Sequence, residues 1–545
     1  MKRKALAILA LAMVVIACQP KEKEKDHDKA IEDTYRQALK VLASDDFMGR
    51  KPFTKGEELT VSYLQQQFEA LGIEPGNGDS YFQDVPLVDI TTKLQDDKVK
   101  VEGKKGKLEL HSLEDIVVGT KRVVEKQEVK AAPVVFAGFG INAPEYDWND
   151  YKDLDVKGKV VVVMVNDPGF YNPDLFRGKN MTYYGRWTYK YEEAARQGAA
   201  GVLIIHATAP ASYGWGVVRS SWGGSNLYLQ TENDNADAVA MEGWISGEAA
   251  KKLFDLAGAD LDKSIEKAKK PGFKGQDLNL KLSATLNNKL DKKTSRNVVA
   301  MLPGTDLKDE YVIYSAHWDH FGVGEPVKGD SIYNGAADNA SGTAGLLTLA
   351  KMFKEAPQTK RSIVFLSVTG EEQGLLGSEY YTKHPIFPIK NTVADINMDV
   401  LQPFGKMKDI FLIGKGQSNI DQYLEKVAQE QDRKVLEPED QSNGWYYRSD
   451  HFNFAKVGIP TLYIANGEES IEHGKEWGAK QLEDYNTHRY HKPQDEYSDN
   501  WDVSGTMWDL ELIFKTGTNL ANTDAFPTWN EGVMYKKIRE ESRRK

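Results

Sequence analysis

The stretch YVIYSAHWDH, residues 311–320, decides the fold, because an apolar run leads directly into two histidines and an aspartate. A strand that is apolar throughout is typical of a sheet covered by helices on both faces. In such sheets, ligands bind beyond the carboxyl ends of the strands. The stretch therefore predicts the class of the fold and the place of the functional site together.

The same pattern recurs between about Ser295 and Asn522. Further strands are predicted at Val298–Leu302, Ser362–Val368, Ala394–Met398, Ile410–Ile413 and Thr461–Ile464. Helical spacing of apolar residues alternates with these strands, as in residues 346–353. We therefore expect an α/β domain with a mixed, mostly parallel sheet sandwiched by helices. Residues 30–90 are predicted to be mostly helical, with a loop at residues 44–50.

Histidines and acids recur at or just past these predicted strand ends. In chain order they are His317, Asp338, Glu371, Glu372, Asp399 and His491. Singly, each has a structural explanation: Asp338 can cap a helix, and adjacent acids favour a helix N-terminus. Those explanations do not account for acids at successive strand ends. Imidazole and carboxylate are the usual non-thiolate zinc ligands, so the pattern favours a pair of divalent metals.

Neighbouring residues can support these candidates. A metal-binding His317 needs a partner for its other ring nitrogen, and Asp319 is close enough in sequence to provide one. Pro493 and Asp495 suggest a fixed turn after His491, with Asp495 able to orient that ring. Asp395 is an alternative to Asp399, but it falls earlier in its strand. Adjacent acids at a strand-to-helix turn point in different directions, so one can bind metal while the other accepts a proton.

The N-terminus predicts export. A basic start precedes an apolar run, residues 5–17, that is too short to span a membrane comfortably. The run ends at Cys18 in a pattern similar to the lipobox of bacterial lipoproteins, although an ordinary signal peptide with a chance cysteine is an alternative. We expect a signal peptide over residues 1–18, a tether over 19–29, and a lipid on Cys18. This lipid would anchor the protein to the bacterial envelope, at the outer membrane facing the periplasm or the surface.

Composition and the pattern of apolar residues divide the rest of the chain into segments. Residues 30–120 are predicted to belong with the main domain of residues 286–530, and residues 121–285 to form a small α/β module. Residues 531–545 form a charged tail. The single cysteine excludes an intrachain disulfide and thiolate metal ligands. A formal net charge of −11 argues against a nucleic-acid partner.

Jointly, and in this order, the motifs resemble those of the M28 family of zinc peptidases, over about residues 30–90 and 295–522. The module between them resembles the protease-associated (PA) domain of larger members, most clearly at YEEAARQGAAGVLII, residues 191–205. The resemblance implies two Zn²⁺ ions and hydrolysis of peptide substrates. It also implies a role for each candidate. One zinc would be held by His317 and Asp399, the other by Glu372 and His491, and Asp338 would bridge the two. Glu371 would be the general base, and Asp319 would orient His317.

Some relatives place an oxyanion-stabilising tyrosine before a stretch similar to Ser449–Phe452. Spacing favours Tyr446 for this role, with the adjacent Tyr447 as the alternative.

Aminopeptidase action is the favoured activity implied by the resemblance. Carboxypeptidases of the family clamp a substrate carboxylate with arginines, and no arginine cluster accompanies residues 338–342 or the loop after Asp399. Glutaminyl cyclases keep the fold with one zinc and altered motifs. A surface lipoprotein that binds partners through the aromatic inserted module is the alternative that is not an enzyme.

Overall fold

The computed structural model describes residues 26–544. The predicted signal peptide, with Cys18, lies outside the described residues, as does most of the predicted tether. Residues 26–29, which the sequence assigned to that tether, lie instead in a helix. Within residues 26–544, no helix combines the length and the apolar character needed to cross a bilayer.

Helices are numbered in chain order. They are α1 (26–42), α2 (Lys55–Ala70), α3 (Trp187–Arg196), α4 (Thr208–Ala211), α5 (Trp215–Trp222), α6 (Gly247–Ala257), α7 (Leu261–Ala268), α8 (Ser341–Glu355), α9 (Leu376–Lys383), α10 (Ile420–Glu430), α11 (His451–Lys456), α12 (Lys475–His488), α13 (Ser504–Asn522) and α14 (Tyr535–Arg544).

Strands are numbered in the same way. They are β1 (Glu74–Pro75), β2 (Phe82–Leu94), β3 (Lys98–Gly103), β4 (Gly106–His111), β5 (Ile116–Gly119), β6 (Lys126–Phe136), β7 (Asn142–Ala143), β8 (Trp148–Asn149), β9 (Val160–Met164), β10 (Gly201–Ile205), β11 (Ser225–Leu229), β12 (Met241–Ile245), β13 (Gln276–Leu302), β14 (Leu307–His317), β15 (Gly322–Val327), β16 (Asp330–Tyr333), β17 (Arg361–Val368), β18 (Thr392–Asn397), β19 (Asp409–Leu412), β20 (Lys434–Leu436) and β21 (Thr461–Asn466).

The sheet that carries the motifs is mixed and mostly parallel, which confirms the predicted fold class. Strand β14 lies between β17 and β18 and is parallel to both, and β18 continues in parallel to β21. The C-terminal half of β13 flanks β17 in the antiparallel direction, and β19 flanks β21 likewise. Each strand predicted from an apolar run in this region is present.

Both faces of this sheet are buried, which explains the apolar runs in its strands. Successive side chains of a strand point to opposite faces. Val312 and Tyr314 of β14 pack into the core that contains residues of α2, α8 and α13. Ile313, between them, packs on the other face with Tyr381 of α9 and Phe454 of α11.

The prediction of mostly helical structure up to residue 90 is wrong for its last part. Strand β2 begins at Phe82 and pairs with β13 from Phe82 to Leu94. This pairing joins segments about two hundred residues apart, so local spacing could not indicate it. The predicted loop at residues 44–50 contains short 3₁₀ turns that are interrupted by left-handed backbone at Met48 and Gly49.

The inserted module has its own sheet, in which β6, β9, β10 and β12 run parallel as neighbours. The 27-residue strand β13 pairs first with β6 of this module and then with β17 of the main sheet. One continuous strand therefore joins the two sheets. An ion pair between Lys456 and Glu192, at 3.1 Å, adds a side-chain contact between the modules.

Candidate metal centre

The candidate residues meet because three parallel strands end at the same level. His317 is the last residue of β14 and lies opposite Val368, the last residue of β17. Glu371 and Glu372 follow β17, and Asp399 follows β18. The carboxyl edge of the sheet thus gathers side chains from separate parts of the sequence, at the position that such sheets use for ligands.

The first group of side chains surrounds the His317 ring. Its Nε2 atom lies 3.2 Å from Asp399 Oδ1 and 3.4 Å from Asp338 Oδ1. The Glu371 carboxylate is slightly farther, with Oε2 at 3.9 Å. His317, Asp338 and Asp399 are all buried, and their ligand atoms are close enough together to share one ion.

The second group lies on the other side of Asp338. His491 Nε2 is 3.2 Å from Asp338 Oδ2 and 3.3 Å from Glu372 Oε2. The two oxygens of Asp338 therefore face different histidines, which is the arrangement that a carboxylate bridging two cations needs. The structure thus brings together all six residues that the sequence singled out.

His320 also belongs to this centre, although the sequence analysis gave it no role. Its Nδ1 atom lies 2.6 Å from Glu372 Oε1, without the geometry of a hydrogen bond. Burial lowers the pKa of the His320 ring to about 3, which keeps it neutral. His320, Asp338 and Glu372 form a second possible ligand group, so His320 competes with His491 for the same position. The sequence could have indicated His320, because it is the second histidine of the HWDH motif, residues 317–320.

The electrostatics of the centre favour cations. Burial raises the pKa of the Glu371 carboxyl well above its usual value, and the nearby acids Asp399 and Glu372 raise it further. Burial and Asp338 act in the same direction on the pKa of Glu372. Glu372 Oε1 and His320 Nε2 are buried and have no hydrogen-bond partner among the described residues. Buried acids that crowd one another need a compensating charge, and this set of imidazoles and carboxylates fits zinc.

Asp495 supports the centre in a way that differs from the prediction. Its carboxylate accepts hydrogen bonds from the backbone N–H of Ala337, at 3.1 Å, and of Asp338, at 3.0 Å. The prediction that it orients His491 is therefore wrong. Asp495 instead fixes the loop that presents Asp338, because a buried carboxylate satisfies its oxygens with the nearest free N–H donors.

Arg50 also holds the loop before Asp338. The sequence analysis gave this residue no role. It lies in the segment of 3₁₀ turns at residues 45–50 and is buried. Its guanidinium donates to the carbonyls of Asn334, at 2.5 Å, and Gly335, at 2.8 Å, and to that of Trp318, at 2.9 Å. One side chain thereby ties the loop before Asp338 to the end of β14.

Asp319 supports His317 mainly through its backbone. His317 Nδ1 donates to the main-chain carbonyl of Asp319 at 3.1 Å, whereas the nearest carboxylate oxygen lies at 3.8 Å. The carboxylate accepts the backbone N–H of Glu371 at 3.1 Å. Asp319 thus orients the ring with one group and positions the Glu371 turn with the other.

The prediction for Tyr446 is wrong, and Tyr447 does not replace it. A cavity of about 320 Å³ opens onto Asp338, Glu371, Asp399 and His491, and neither tyrosine lines it. The Tyr446 hydroxyl lies in the interior, 3.5 Å from the Thr461 hydroxyl. The 3₁₀ turn at Trp445–Tyr447 gives a different side chain to the cavity than the spacing suggested.

The cavity wall instead includes Tyr463 and Tyr490, together with Trp445 and Arg448. Tyr463 donates weakly to the backbone carbonyl of Asp399, at 3.4 Å. The tyrosines of the cavity wall therefore come from β21, from α12, which carries Tyr485, and from the loop before His491.

Comparison with known proteins agrees with this geometry. Residues 297–513 match the profile of Peptidase family M28, and residues 129–252 match that of the PA domain. Aminopeptidase NAALADL1 of Mus musculus is 34% identical over 125 residues, 22% of this chain and 15% of that protein. Aminopeptidase YwaD of Bacillus subtilis is 27% identical over 227 residues, 41% of this chain and 44% of that protein. The aligned regions thus span less than half the length of these curated relatives.

Among solved structures, an aminopeptidase from Aneurinibacillus sp. strain AM-1 is 20% identical, with 91% of this chain and 95% of that chain covered, at a TM-score of 0.48. The PA-domain match falls within the module predicted at residues 121–285. Together with the residues gathered at the sheet edge, the two profile matches show that this chain contains a domain of peptidase family M28 and a PA domain.

Proposed function

We propose that the protein is a dizinc aminopeptidase, which releases N-terminal residues from peptides. The observation that carries this proposal is the placement of Asp338 between His317 and His491, with Glu371 beside them at a cavity. Two of the similar proteins are named aminopeptidases, which supports the choice of activity, although two others are named homologues of glutamate carboxypeptidase 2.

The side chains that would hold the metals follow from the distances. His317 and Asp399 would hold one zinc, and His491 and Glu372 the other, with Asp338 shared between them. When bound, a zinc pair polarises the substrate carbonyl and makes a water molecule acidic enough to attack it near neutral pH.

Glu371 has the position and the environment of a general base. It lines the cavity but belongs to neither of the two ligand groups. Its raised pKa, caused first by burial, makes the carboxylate a stronger proton acceptor than a solvated glutamate. Glu371 takes a proton from the attacking water and then passes it to the leaving amine. The buried acids around it also provide negative charge for the free N-terminus of the substrate.

The proposal is tested with aminoacyl anilides and their N-acetylated forms, with and without a chelator. An aminopeptidase releases aniline from the free-amine substrates alone, and a chelator abolishes the release. Cleavage of peptides with an acetylated N-terminus would indicate a carboxypeptidase instead. Absence of any chelator-sensitive release would favour a binding lipoprotein, and about one bound metal per chain would favour a cyclase-like relative.

Substitution separates the base from the ligands. Glu371→Gln should lower kcat by a factor of at least about 10²–10⁴, the usual contribution of general-base catalysis, with normal zinc content by elemental analysis. Asp338→Ala should instead lower the zinc content. Glu476→Gln, an exposed change of the same chemistry, is the control. Equal loss of zinc and activity in Glu371→Gln would reassign Glu371 as a ligand.

We further propose that Cys18 carries a lipid that anchors the enzyme in the bacterial envelope, as the residues before it suggest. Cys18→Ser should move the protein from the membrane fraction to the soluble fraction. An unchanged distribution would argue against the anchor.

A further inference from the structure

Helix α12 contributes side chains to two cavities. Leu482, Tyr485 and Asn486 line the cavity at the metal centre. Trp477 and Gln481, which are one helical turn apart, line a second cavity of about 440 Å³. Among the described residues, none lines both cavities. The second cavity, which we call the α12 cavity, is therefore separate from the catalytic one.

Backbone hydrogen bonds fix the walls of the α12 cavity. Three loop segments complete it beside the helix, and these segments are joined to one another. The N–H of Ile471 donates to the carbonyl of Lys406 at 3.0 Å, and the N–H of Gly405 donates to that of Asp502 at 3.1 Å. A cavity with walls fixed in this way loses little conformational entropy when a ligand enters.

Two tryptophans give the cavity flat apolar surfaces. Trp477 and Trp501 both line it, and both are only partly buried. Within residues 26–544, neither indole N–H has a hydrogen-bond acceptor. An indole of this kind offers a ligand a stacking surface and a hydrogen-bond donor together.

Uncharged polar groups surround the two indoles. The side-chain amides of Gln481 and Asn500 line the cavity, as does the hydroxyl of Ser504. None of these three groups has a hydrogen-bond partner in the part of the chain that the structure describes. Each can both donate and accept a hydrogen bond. The α12 cavity thus combines apolar ring faces with free groups that suit hydroxyls.

The charged groups of the cavity already have neighbours that compensate them. Two basic and two acidic side chains line it, so their charges balance. Arg489 lies 3.4 Å from the Asp484 carboxylate. The others are Lys406 over the ring of Trp508, Glu472 beside His473, and Asp502 at the N–H of Ser504. An ionic ligand would disturb these contacts, whereas a neutral ligand would not.

We propose that the α12 cavity binds a neutral oligosaccharide. A sugar ring has a face of C–H groups, which packs on Trp477 or Trp501, and an edge of hydroxyls, which binds Gln481 and Asn500. The volume of the cavity lies within the range of about 300–1,000 Å³ that is usual for small-molecule sites. This inference goes beyond the proposed peptidase function, because it assigns a second ligand to the chain and does not involve the metals.

The test is a calorimetric titration of the zinc-loaded full chain with cellotriose, maltotriose and tri-N-acetylchitotriose. At least one of these sugars should bind saturably, with one site per chain. Trp477→Ala and Trp501→Ala should each raise Kd by about tenfold or more, as expected for an aromatic side chain at the centre of a binding site. Trp477→Phe keeps a ring face and removes the N–H, so it should raise Kd only about two- to tenfold.

A matched pair of variants tests the amides. Gln481→Leu should raise Kd by about two- to tenfold, whereas Gln422→Leu, an exposed change on α10, should leave it unchanged. The urea midpoint of each variant separates a lost contact from a damaged fold. Because the ligand is neutral, added salt should not weaken its binding.

A neutral peptide, acetyl-Ala-Ala-Ala-amide, is the rival ligand. If it binds as tightly as the best sugar and this affinity depends on Trp477, the cavity is a peptide site and the inference is overturned. Binding by none of the three sugars, or a Kd that neither tryptophan substitution changes, overturns it as well.

The titrations are repeated with Glu371→Gln and with chelator-treated protein, and the sugar affinity should be the same in both. The two proposals therefore fail separately. Absence of anilide hydrolysis would leave the sugar site standing, and absence of sugar binding would leave the peptidase function standing.

Discussion

Replacing Asp495 with asparagine tests how the loop before α8 holds the bridging carboxylate. Asp495 is 1% exposed. Both of its oxygens lie 3.1 Å from the N–H of Ala337, and Oδ2 also accepts the N–H of Asp338 at 3.0 Å. The hydroxyl of Tyr485 is a further donor, at 3.4 Å. An asparagine has one acceptor oxygen in place of two, so its amide group must face backbone donors.

The magnitude follows from these bonds. Each hydrogen bond to a charged group contributes about 1.5–3 kcal/mol. Losing one of them, and weakening the other by neutralising the acceptor, removes about 3 kcal/mol. The lower cost of burying a neutral amide offsets part of this loss, since burial raises the pKa of Asp495 and so disfavours its charged form. We expect a net destabilisation of about 2 kcal/mol, concentrated in the loop at residues 336–338.

The consequence for function is looser binding of metal. Loss of a residue that positions a metal ligand typically costs 10–100-fold in affinity. Zinc content should therefore fall when the Asp495→Asn protein is dialysed against graded concentrations of a competing chelator, with the midpoint shifted by that factor. Glu371→Gln should not show this shift.

Asp499→Asn is the matched control, four residues farther on. Asp499 is exposed and pairs with Lys40 at 3.0 Å on the surface, and such pairs contribute little. It should change neither zinc affinity nor stability measurably. An Asp495→Asn protein whose chelator midpoint equals that of wild type would refute the view that Asp495 acts by fixing the loop.

The remaining predictions concern the second metal and the core. His491→Ala should remove about one zinc per chain, whereas His320→Ala should retain both ions with weaker affinity; the opposite result would make His320 the ligand. Gly517→Ala should destabilise the main domain by about 1–3 kcal/mol, because the new Cβ would overlap the Tyr314 hydroxyl and lie 2.7 Å from its Cζ. Gly216→Ala, where no atom lies within 4 Å, should not lower the urea midpoint.

Local patterns predicted the strands of the main sheet well, for a physical reason. Strands β17 and β18 and the part of β14 from Val312 on are buried, so most of their residues are apolar or small. Such runs are visible without knowing what they pack against. Strand β2 is different, because it forms by pairing with β13. The residues near β2 in the sequence do not indicate that partner.

The candidate site shows the same division. His317 and Glu371 could be singled out because they lie at or just past the ends of strands that apolar runs predict. The direction of a side chain in a loop depends on the turn that carries it, and this is why the predictions for Tyr446 and Asp495 were wrong. Arg50 reaches the site from a distant segment, and no spacing within the motifs points to it.

The order of acids and histidines along the chain, with the apolar runs before them, determined the α/β class and the six candidate residues. Only the folded chain decided which oxygen of Asp338 faces which histidine, which N–H groups Asp495 binds, and that Arg448 lies at the cavity wall. The reason is that the sequence specifies which groups must be buried or solvated, whereas distances between loops are set by how helices and strands pack in three dimensions.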